Sequence, residues 1–493
     1  MNAHPSRATG SLIRRLWAQT APSRRPAGSM GALFKSGYGV GQMVESIATV
    51  TLNTYLFYYL TNVCGLSGSL TGVALFLALA IDAVADPVVG SISDHLMTRW
   101  GRRVPVMAVS LVPLAVSFGL LFSVPHLDSG WPLFGYVFVI LVALRISMSG
   151  FIVPYLSLGA EISTDYDDRS NIVAFRVIFG ILGPLVAYLL GFGVFLSGPR
   201  GLLNRPGYAP FGWTCAALAW TAGAVACIVS LRAAPVDTHR LRSERSLAPR
   251  LAAEVREVFR NPLFRLLFGG VLVFFVSQGL TTALTLHANQ YFWSLNVKQI
   301  QVIAMSMVAG LAAGLPIAFA VIGRIEKRTM VLGGIAAFAI AQGLPACAEV
   351  AGLLPPDIDL NVEILFVAGL IIGIATTLVV VSFQSAMADA VDEHEHLFGT
   401  RREGIYFASL SFASKAATGL GSMMAGFLLD WIHFPSAEIA SGRHVTVAPQ
   451  ILRNLGLLYG PAAAFITLSS LVFFARYRLD RAAHAAILAE LAR

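Results

Sequence analysis

The stretch that decides the fold is AIDAVADPVVGSISDHLMTRWGRR, residues 80–103. Asp82 and Asp86 lie there inside an apolar segment, and their four-residue spacing places both carboxylates on one face of a helix. A charged side chain near the middle of a bilayer costs about 2.5–3.5 kcal/mol, so both acids are expected to point into a polar cavity. The stretch ends in the basic turn RWGRR, which is typical of a cytoplasmic loop between two spans. Acids inside a span and bases at its exit indicate a transport protein.

The composition places the chain in a membrane. Hydrophobic residues make up 56% of the 493 residues, charged residues make up 13%, and the mean hydropathy is +0.70. These values exclude a soluble globular protein of this length. The formal charge of +8 is spread over loops instead of forming one basic face, so no nucleic acid is expected as a partner. We expect a monomer in the lipid bilayer, without a bound metal or an organic cofactor.

Twelve apolar windows of about 20 residues, the length needed to cross the hydrocarbon core, predict an all-α membrane protein. They lie near residues 38–62, 70–93, 104–125, 131–160, 171–197, 209–231, 263–290, 299–322, 329–350, 362–388, 401–430 and 454–477. The predicted domains are a basic tail at 1–37, a six-helix bundle at 38–231, a cytoplasmic linker at 232–262, a second six-helix bundle at 263–477 and a tail at 478–493. Either Met1 or Met30 is the start of the protein.

The distribution of basic residues predicts the orientation. With both termini in the cytoplasm, the inside segments hold 26 of the 35 Lys and Arg residues, and the outside loops hold five. This asymmetry follows the positive-inside rule, and it indicates that both termini are cytoplasmic.

The two halves of the chain repeat each other. The basic turn at 94–103 follows the second apolar window, and a similar turn, GRIEKR at 323–328, follows the eighth. Equivalent turns at equivalent places indicate a duplicated six-helix unit. Paired halves of this kind are the layout of the major facilitator superfamily, in which the binding site lies between the halves near the midplane.

Five ordered segments carry a narrower resemblance through both halves. They are GYGVGQ at 37–42, YLFYYLTNVCGLS at 55–67, the DxxxDPxxG motif at 82–90, PYLSLGAEISTDYDDRSNI at 154–172 and MADAVDEHEHLFGTRREGIYFA at 387–408. This set resembles the glycoside, pentoside and hexuronide cation symporters. The resemblance implies a secondary active transporter of the cell membrane, which is the inner membrane in a Gram-negative bacterium. Such a protein carries a glycoside or related sugar together with a proton or sodium by alternating access.

The resemblance assigns the coupling cation to Asp82 and Asp86, which match the family's paired cation-binding carboxylates. Ser149 stands where a hydroxyl ligand is expected. Sodium-coupled members place an amide between the two acids, but Ala85 occupies that position here, which favours a proton over sodium. Alternatively, the two carboxylates form salt bridges to basic residues of other spans and hold helices together.

A sugar site needs several buried hydrogen-bonding groups, because every hydroxyl taken out of water must be paired. The residues that we expect to contact the substrate are Glu45, Ser46, Arg145, Tyr155, Arg176, Gln384 and Lys415. Arg176 and Lys415 match basic residues that face the family's central cavity. Arg145 either forms a structural ion pair with the two acids or binds an anionic group of the substrate. The family's two sugar-binding aspartates fall at Ser46 and Ile152, so a galactoside is not assigned. An amphiphile such as a lysolipid is the alternative substrate.

Charged loops at the cytoplasmic ends of the spans are expected to gate the carrier. The predicted gating residues are Asp94, Arg102, Arg103, Asp165, Arg169, Arg402 and Glu403. The nearby run DEHEH at 392–396 does not have the HExxH spacing of a zinc site, and we interpret it as a solvated loop. The sequence offers no nucleophile and base at a fixed spacing, so we do not expect an enzyme. A non-transporting membrane sensor and a membrane enzyme are the remaining alternatives.

Overall fold

The computed structural model describes residues 31–96, 98, 100–127, 130–162, 165–232, 254–355, 357–443, 445–477, 479 and 481–491. Regular structure in these residues is helical, apart from one isolated bridge between Ile322 and Ile325. Most of the predicted tail at 1–37 and of the predicted linker at 232–262 lies outside the described residues, so these domain boundaries remain predictions.

The first half contains six spans. The first span consists of α1 (Ala32–Gly39) and α2 (Gln42–Thr51), and π-helical turns at Leu52–Leu56 and Tyr59–Val63 continue it. The other five spans are α3 (Gly68–His95), α4 (Val104–Leu121), α5 (Trp131–Glu161), α6 (Tyr166–Tyr188, continued by a π-helical segment at Leu189–Phe195) and α7 (Arg205–Leu231).

The second half repeats this arrangement. Its first five spans are α8 (Pro262–His287, continued by a π-helical turn at Ala288–Phe292), α9 (Val297–Val321), α10 (Lys327–Val350), α11 (Ile358–Phe398) and α12 (Glu403–Trp431). After the short helix α13 (Ser436–Ala440), the last span consists of α14 (Pro449–Leu457), a π-helical turn at Leu458–Ala462, α15 (Ala463–Ser469) and α16 (Leu471–Ala475), and α17 (Arg481–Leu491) follows it.

The described part of the chain contains ten helices that are long and apolar enough to cross a membrane. The first span, which is broken into short helices, and α12, which carries Lys415 near its middle, complete the twelve. The predicted all-α fold, with twelve transmembrane helices in two halves of six, is confirmed.

Helix boundaries follow ordinary capping chemistry. At the start of α6, the Asp165 side chain accepts a hydrogen bond from the backbone amide of Asp168. At the start of α9, Asn296 and Gln299 form a reciprocal capping box. Each cap pairs amide groups that the helix N-terminus would otherwise leave without a partner.

The charged end of the molecule is the end that carries the turns after α3 and α9. In the first half, Arg103 on its turn lies 2.5 Å from Glu161 at the end of α5. In the second half, Lys327 follows the corresponding turn and lies 2.6 Å from Asp389 on α11. The turn after the second span of each half therefore pairs with the fourth span of the same half, as expected for a duplicated unit.

The closed end is the opposite end, where the two halves meet. Tyr58 donates a hydrogen bond to the side chain of Gln290 across the halves. The carboxylate of Asp430 on α12 accepts hydrogen bonds from the amides of Gly68 and Ser69, at 2.9 and 2.8 Å, at the start of α3. A carboxylate at a helix N-terminus also interacts favourably with the helix dipole. These contacts fasten α3 to α12 at the closed end.

Glycine allows α3 and α12 to approach each other closely near the closed end. A Cβ atom on Gly426 would collide with the carbonyl oxygen of Gly68. Small residues permit this kind of backbone contact between membrane helices.

Candidate functional site

Two carboxylates, a hydroxyl group and an ammonium group meet in the middle of the molecule. Lys415 Nζ lies 2.9 Å from Oδ2 of Asp82 and 2.5 Å from Oδ2 of Asp86. The Ser149 hydroxyl oxygen lies 2.7 Å from Oδ1 of each of the same carboxylates. Because the acids are on α3, Ser149 is on α5 and Lys415 is on α12, this cluster joins the two halves. Asp82 and Asp86 are called the carboxylate pair below.

Helix geometry explains how the carboxylate pair forms. Asp82 and Asp86 are one turn apart on α3, which keeps both side chains on one face. Asp82 is 4% exposed, and a carboxylate so deeply buried is stable only when it is paired. Lys415 and Ser149 supply these partners.

The Ser149 hydroxyl makes two short contacts to carboxylate oxygens but has only one proton to donate. A serine hydroxyl has one proton and donates to one oxygen atom at a time. A proton on one of the two carboxyl groups would satisfy the second contact, because that group would then donate to the Ser149 oxygen.

Arg145 brings a second positive charge to the site. It lies on α5, one helical turn before Ser149, and is 7% exposed. In the described residues its guanidinium forms no ion pair, and its Nε atom has no hydrogen-bond partner. It interacts electrostatically with both Asp82 and Asp86. With Lys415, the two bases balance the formal charge of the two acids.

A separate polar chain runs through the first half. Glu45 accepts a hydrogen bond of 2.7 Å from Gln42, and the side-chain oxygen of Gln42 accepts two hydrogen bonds of 3.1 Å from Arg176. The Arg176 guanidinium also lies 5.4 Å from the ring centroid of Tyr155, which stacks on Tyr38. Glu45 and Arg176 are thus linked through an amide, while Tyr155 packs within the first half.

The carboxylate pair lines a cavity of about 350 Å³, called the charged cavity below. The predicted site residues that line it are Glu45, Asp82, Asp86, Arg145, Ser149 and Lys415. Four predicted substrate residues do not line it: Tyr155 and Arg176, whose contacts are given above, and Ser46 and Gln384. Ser46 packs against Gly183, where an added Cβ would collide with the Ser46 hydroxyl. Gln384 lines an adjoining cavity of about 280 Å³, which shares Phe275, Ser411 and Ser414 with the charged cavity.

Three predicted gating residues of the first half share one carboxylate network. Arg102 lies 2.7 Å from Glu161, and Arg103 lies 2.5 Å from the same carboxylate. Asp94 lies 3.3 Å from Arg103. These ion pairs stabilise the turn between α3 and α4 against the end of α5.

The other two predicted gating residues of the first half lie at the start of α6. Asp165 caps this helix, and Arg169 is exposed in its first turn. The neighbouring Asp168 is buried and forms an ion pair of 2.7 Å with Lys35 on α1. This pair fastens the start of the first span to the start of the fifth.

Arg402 attaches the helical residues 254–258 to the loop after α11. Its guanidinium lies 3.0 Å from Glu254 and 3.1 Å from Glu257. The Thr400 hydroxyl donates a hydrogen bond of 2.7 Å to Glu257. The hydrogen bonds from Thr400 and Arg402 hold the pKa of Glu257 below its usual range.

The run at 392–396 is not a solvated loop, so that interpretation was wrong. It forms the last turns of α11, and His394 within it is fully buried. Arg401 lies 2.8 Å from Glu395 and 3.0 Å from Asp392, and the predicted gating residue Glu403 lies 3.4 Å from it. Hydrogen bonds to the first two of these acids raise the pKa of Arg401 above its usual range. In the described residues no group of at least three His, Cys, Asp or Glu side chains is arranged to hold a metal ion.

The sequence analysis missed a second cavity, of about 330 Å³, which is called the neutral cavity below. It adjoins the charged cavity, because Asn53, Phe275 and Thr418 line both. Much of its polar lining comes from the sequence QGLTTALTLHAN at 278–289, on α8 and the π-helical turn that continues it. The signal was present in the sequence as polar residues at helical spacing inside an apolar span.

Comparison with known proteins gives a match over almost the whole chain. The profile of the family described as MFS/sugar transport protein matches residues 37–481. The chain is 24% identical to the glucuronide carrier protein homolog of Escherichia coli over 396 residues, which cover 80% of this chain and 82% of that protein. It is 31% identical to the sodium-dependent lysophosphatidylcholine symporter 1-A of Danio rerio over 150 residues, which cover 30% of this chain and 28% of that protein.

Solved structures share the fold. The crystal structure of a D-xylose-proton symporter matches with a TM-score of 0.58 at 15% sequence identity, and the match covers 90% of this chain and 97% of that chain. At this level of identity the likeness shows a common arrangement of helices.

Proposed function

The chain belongs to the MFS/sugar transport protein family, and from that premise we propose that it is a secondary active symporter that carries a glycoside or related sugar together with a cation. It is a multi-pass membrane transporter and not an enzyme. The resemblance to the glycoside, pentoside and hexuronide cation symporters is confirmed by the family match and by the glucuronide carrier homolog.

The observation that carries the proposal is the ion pair between Lys415 and the carboxylate pair, which connects the two halves and is called the joint below. Lys415 of the second half bridges both members of the carboxylate pair in the first half. The charge of the pair and the packing of α3 against α12 are therefore linked. A proton on Asp86 removes its attraction for Lys415 and weakens the joint, which is how cation binding changes the preferred conformation in an alternating-access carrier.

The coupling cation that we propose is a proton. Ser149 makes two short contacts to carboxylate oxygens, and a protonated carboxyl group satisfies the second. Arg145 and Lys415 balance Asp82 and Asp86, and Glu45, the third acid of the charged cavity, is linked through Gln42 to Arg176. The absence of an amide at Ala85 supports the same choice.

We place the charged end and both termini in the cytoplasm of the cell that makes the protein, with the bundle in its cell membrane. Basic residues concentrate in the loops of that end, as the positive-inside rule requires. The closed end then faces outside, and the cavities are those of a carrier open towards the cytoplasm. Since both cavities lie within one twelve-helix chain, we propose the monomer as the working unit.

Uptake into proteoliposomes tests the proposal. The full chain is reconstituted, and radiolabelled methyl glycosides and disaccharides are offered under an inward proton gradient or under an inward sodium gradient at equal pH. We expect accumulation above the external concentration under the proton gradient. Equilibration without accumulation under either gradient would contradict a symporter.

The match of 150 residues to a lysophosphatidylcholine symporter favours one other substrate class, an amphiphile such as a lysolipid on the same fold. Fluorescent lysophosphatidylcholine in the same proteoliposomes separates the two classes. Sodium-dependent uptake of this lipid, together with no uptake of any sugar, would favour an amphiphile as the substrate.

A further inference from the structure

The neutral cavity is lined by side chains that form hydrogen bonds without carrying charge. Its volume of about 330 Å³ falls in the usual range of small-molecule sites, about 300–1,000 Å³. No Asp, Glu, Lys or Arg lines it in the described part of the chain. It therefore differs in chemistry from the charged cavity beside it.

The seventh span, which is α8 and the turn after it, presents one polar face to this cavity. Gln278, Thr282, Thr285 and Asn289 follow one another at intervals of four, three and four residues, which is the spacing of a single helix face. The Thr285 hydroxyl donates to the carbonyl of Thr281 at 2.7 Å. The side-chain amides of Gln278 and Asn289 have no hydrogen-bond partner among the described residues, so they are available to a ligand.

Two further groups at the cavity also lack partners. The side-chain amide of Asn53 forms no hydrogen bond in the described residues. The indole N–H of Trp293 is buried without a partner, in a side chain that is 4% exposed. Buried polar groups in proteins are nearly always paired, and leaving one unpaired costs free energy. Asn289 and Trp293 are buried, Gln278 and Asn53 are half-buried, and four unpaired polar groups around one cavity indicate a ligand with several donors and acceptors.

Irregular backbone positions two of these amides. Asn53 lies in the π-helical turn at Leu52–Leu56, and Asn289 lies in the one at Ala288–Phe292. Turns of this type inside helices are frequent at functional sites. They occur in the first span of each half, so corresponding spans contribute one asparagine each to the same cavity.

The lining selects against charged ligands. The residues that line this cavity offer no opposite charge to the carboxylate of a uronate or to the phosphate and ammonium groups of a lysolipid. The rings of Tyr188, Phe275 and Trp293 offer apolar surface beside the amides. Apolar surface with a few placed polar groups suits the face and the hydroxyls of a sugar ring.

We infer that the neutral cavity is the substrate site, and that the substrate is an uncharged glycoside held chiefly by Gln278 and Asn289 of the second half together with Asn53 of the first. This inference rests on the proposed function and names its substrate class. The shared residues Asn53, Phe275 and Thr418 place such a sugar next to the cavity of the carboxylate pair.

Binding to the purified full-length protein tests the inference. The probes are methyl glycosides and disaccharides of glucose, galactose and xylose, with glucuronate and lysophosphatidylcholine as charged comparisons. A ligand of the folded state raises the unfolding temperature, and calorimetry then gives its affinity. We expect a neutral glycoside to bind, and Gln278→Ala and Asn289→Ala each to weaken it about tenfold or more. Asn361→Ala, which removes an amide of α11 outside this cavity, serves as the matched control and leaves the affinity unchanged.

If Asn289→Ala does not fold, Thr282→Val provides the second variant, because it exchanges a hydroxyl for a methyl group of similar size. Preferential binding of glucuronate or lysophosphatidylcholine, no binding of any neutral glycoside, or unchanged affinity in the cavity variants overturns the inference. Uptake measurements distinguish failure of this site assignment from failure of the proposed function. A glycoside that binds as expected but never accumulates under a cation gradient overturns symport and leaves the site assignment intact.

Discussion

Lys415 Nζ and Asp86 Oδ2 lie 2.5 Å apart across the boundary between the two halves. The joint lies on the charged-end side of the closed-end contacts of α3 and α12, which are made at Asp430 and Gly426. A change of charge at Asp86 therefore acts directly on the packing of one half against the other. The following predictions concern this joint, its neighbouring charge, and the two ends of the molecule.

Lys415→Gln removes the ammonium group and leaves two neighbouring carboxylates. Breaking a fully buried ion pair costs about 3–5 kcal/mol. The side chains of Lys415 and Asp86 are 29% and 25% exposed, which lowers this cost, but Asp82, whose side chain is 5% exposed, also loses its partner. We expect a lower unfolding temperature and no accumulation of substrate, measured by thermal unfolding and by uptake into proteoliposomes.

The double variant Lys415→Gln, Asp86→Asn is the matched control for this prediction. It removes one charge of each sign, so we expect it to recover much of the lost unfolding temperature without recovering accumulation. A double variant less stable than Lys415→Gln would show that the pair is not the source of the loss.

Arg145→Gln is expected to make uptake responsive to sodium. The variant leaves three acids, Glu45, Asp82 and Asp86, with one base at the charged cavity, and the excess negative charge attracts a cation. Uptake with sodium is compared with uptake in choline at one pH. Arg176→Gln is the control, because that guanidinium binds Gln42 instead of the carboxylate pair. Equal uptake of Arg145→Gln in both salts would show that Arg145 does not balance the site.

Asp430→Asn is expected to loosen the closed end. The carboxylate accepts two backbone hydrogen bonds at the start of α3, and a hydrogen bond to a charged group contributes about 1.5–3 kcal/mol. Its loss shifts the population towards a state open at that end. Distances between spin labels at Ser197 and Arg443, on opposite halves, report the shift as a larger long-distance fraction. The exposed Glu438→Gln is the control, and identical distributions for the two variants would contradict the role of Asp430.

Glu161→Gln is expected to destabilise the charged end of the first half. Glu161 is contacted by both Arg102 and Arg103, and charge-assisted pairs of this kind contribute about 1–2 kcal/mol when partly exposed. We expect a fall in the unfolding temperature of the purified protein. Glu403→Gln removes an exposed carboxylate with one contact of 3.4 Å and should change little. An equal fall in the unfolding temperature for the two substitutions would show that the contacts of Glu161 with Arg102 and Arg103 do not stabilise this end of the molecule.

The helical frame could be predicted well because the bilayer fixes the length of a span and keeps charge out of it. The window at 70–93 lies within α3, and the acids at its centre project together because helical spacing requires it. From the sequence, either a cation or the basic residues of other spans can be the partner of the carboxylate pair. The structure places Lys415 in that position, and a contact between distant spans is not encoded in local spacing.

The substrate residues were less predictable, because hydropathy does not say which face of a span points to the centre. Most of the expected substrate residues lie in the first half, whereas the polar face on α8 belongs to the second half and is marked in the sequence only by polar residues at helical spacing. The prediction of a solvated loop at 392–396 was also wrong, because these residues belong to α11. That helix continues to Phe398 because no breaker occurs before Gly399, which ends it with a φ of 68°.

The most direct test of coupling at the carboxylate pair compares accumulation with exchange in Asp82→Asn and Asp86→Asn. Proteoliposomes containing each variant are assayed for uptake under an inward proton gradient and for counterflow without a gradient, with the exposed Asp359→Asn as control. We expect both variants to lose accumulation and keep counterflow, because a neutral amide at one of the two positions still lets the loaded carrier reorient. Full accumulation in both variants would contradict coupling through Asp82 and Asp86.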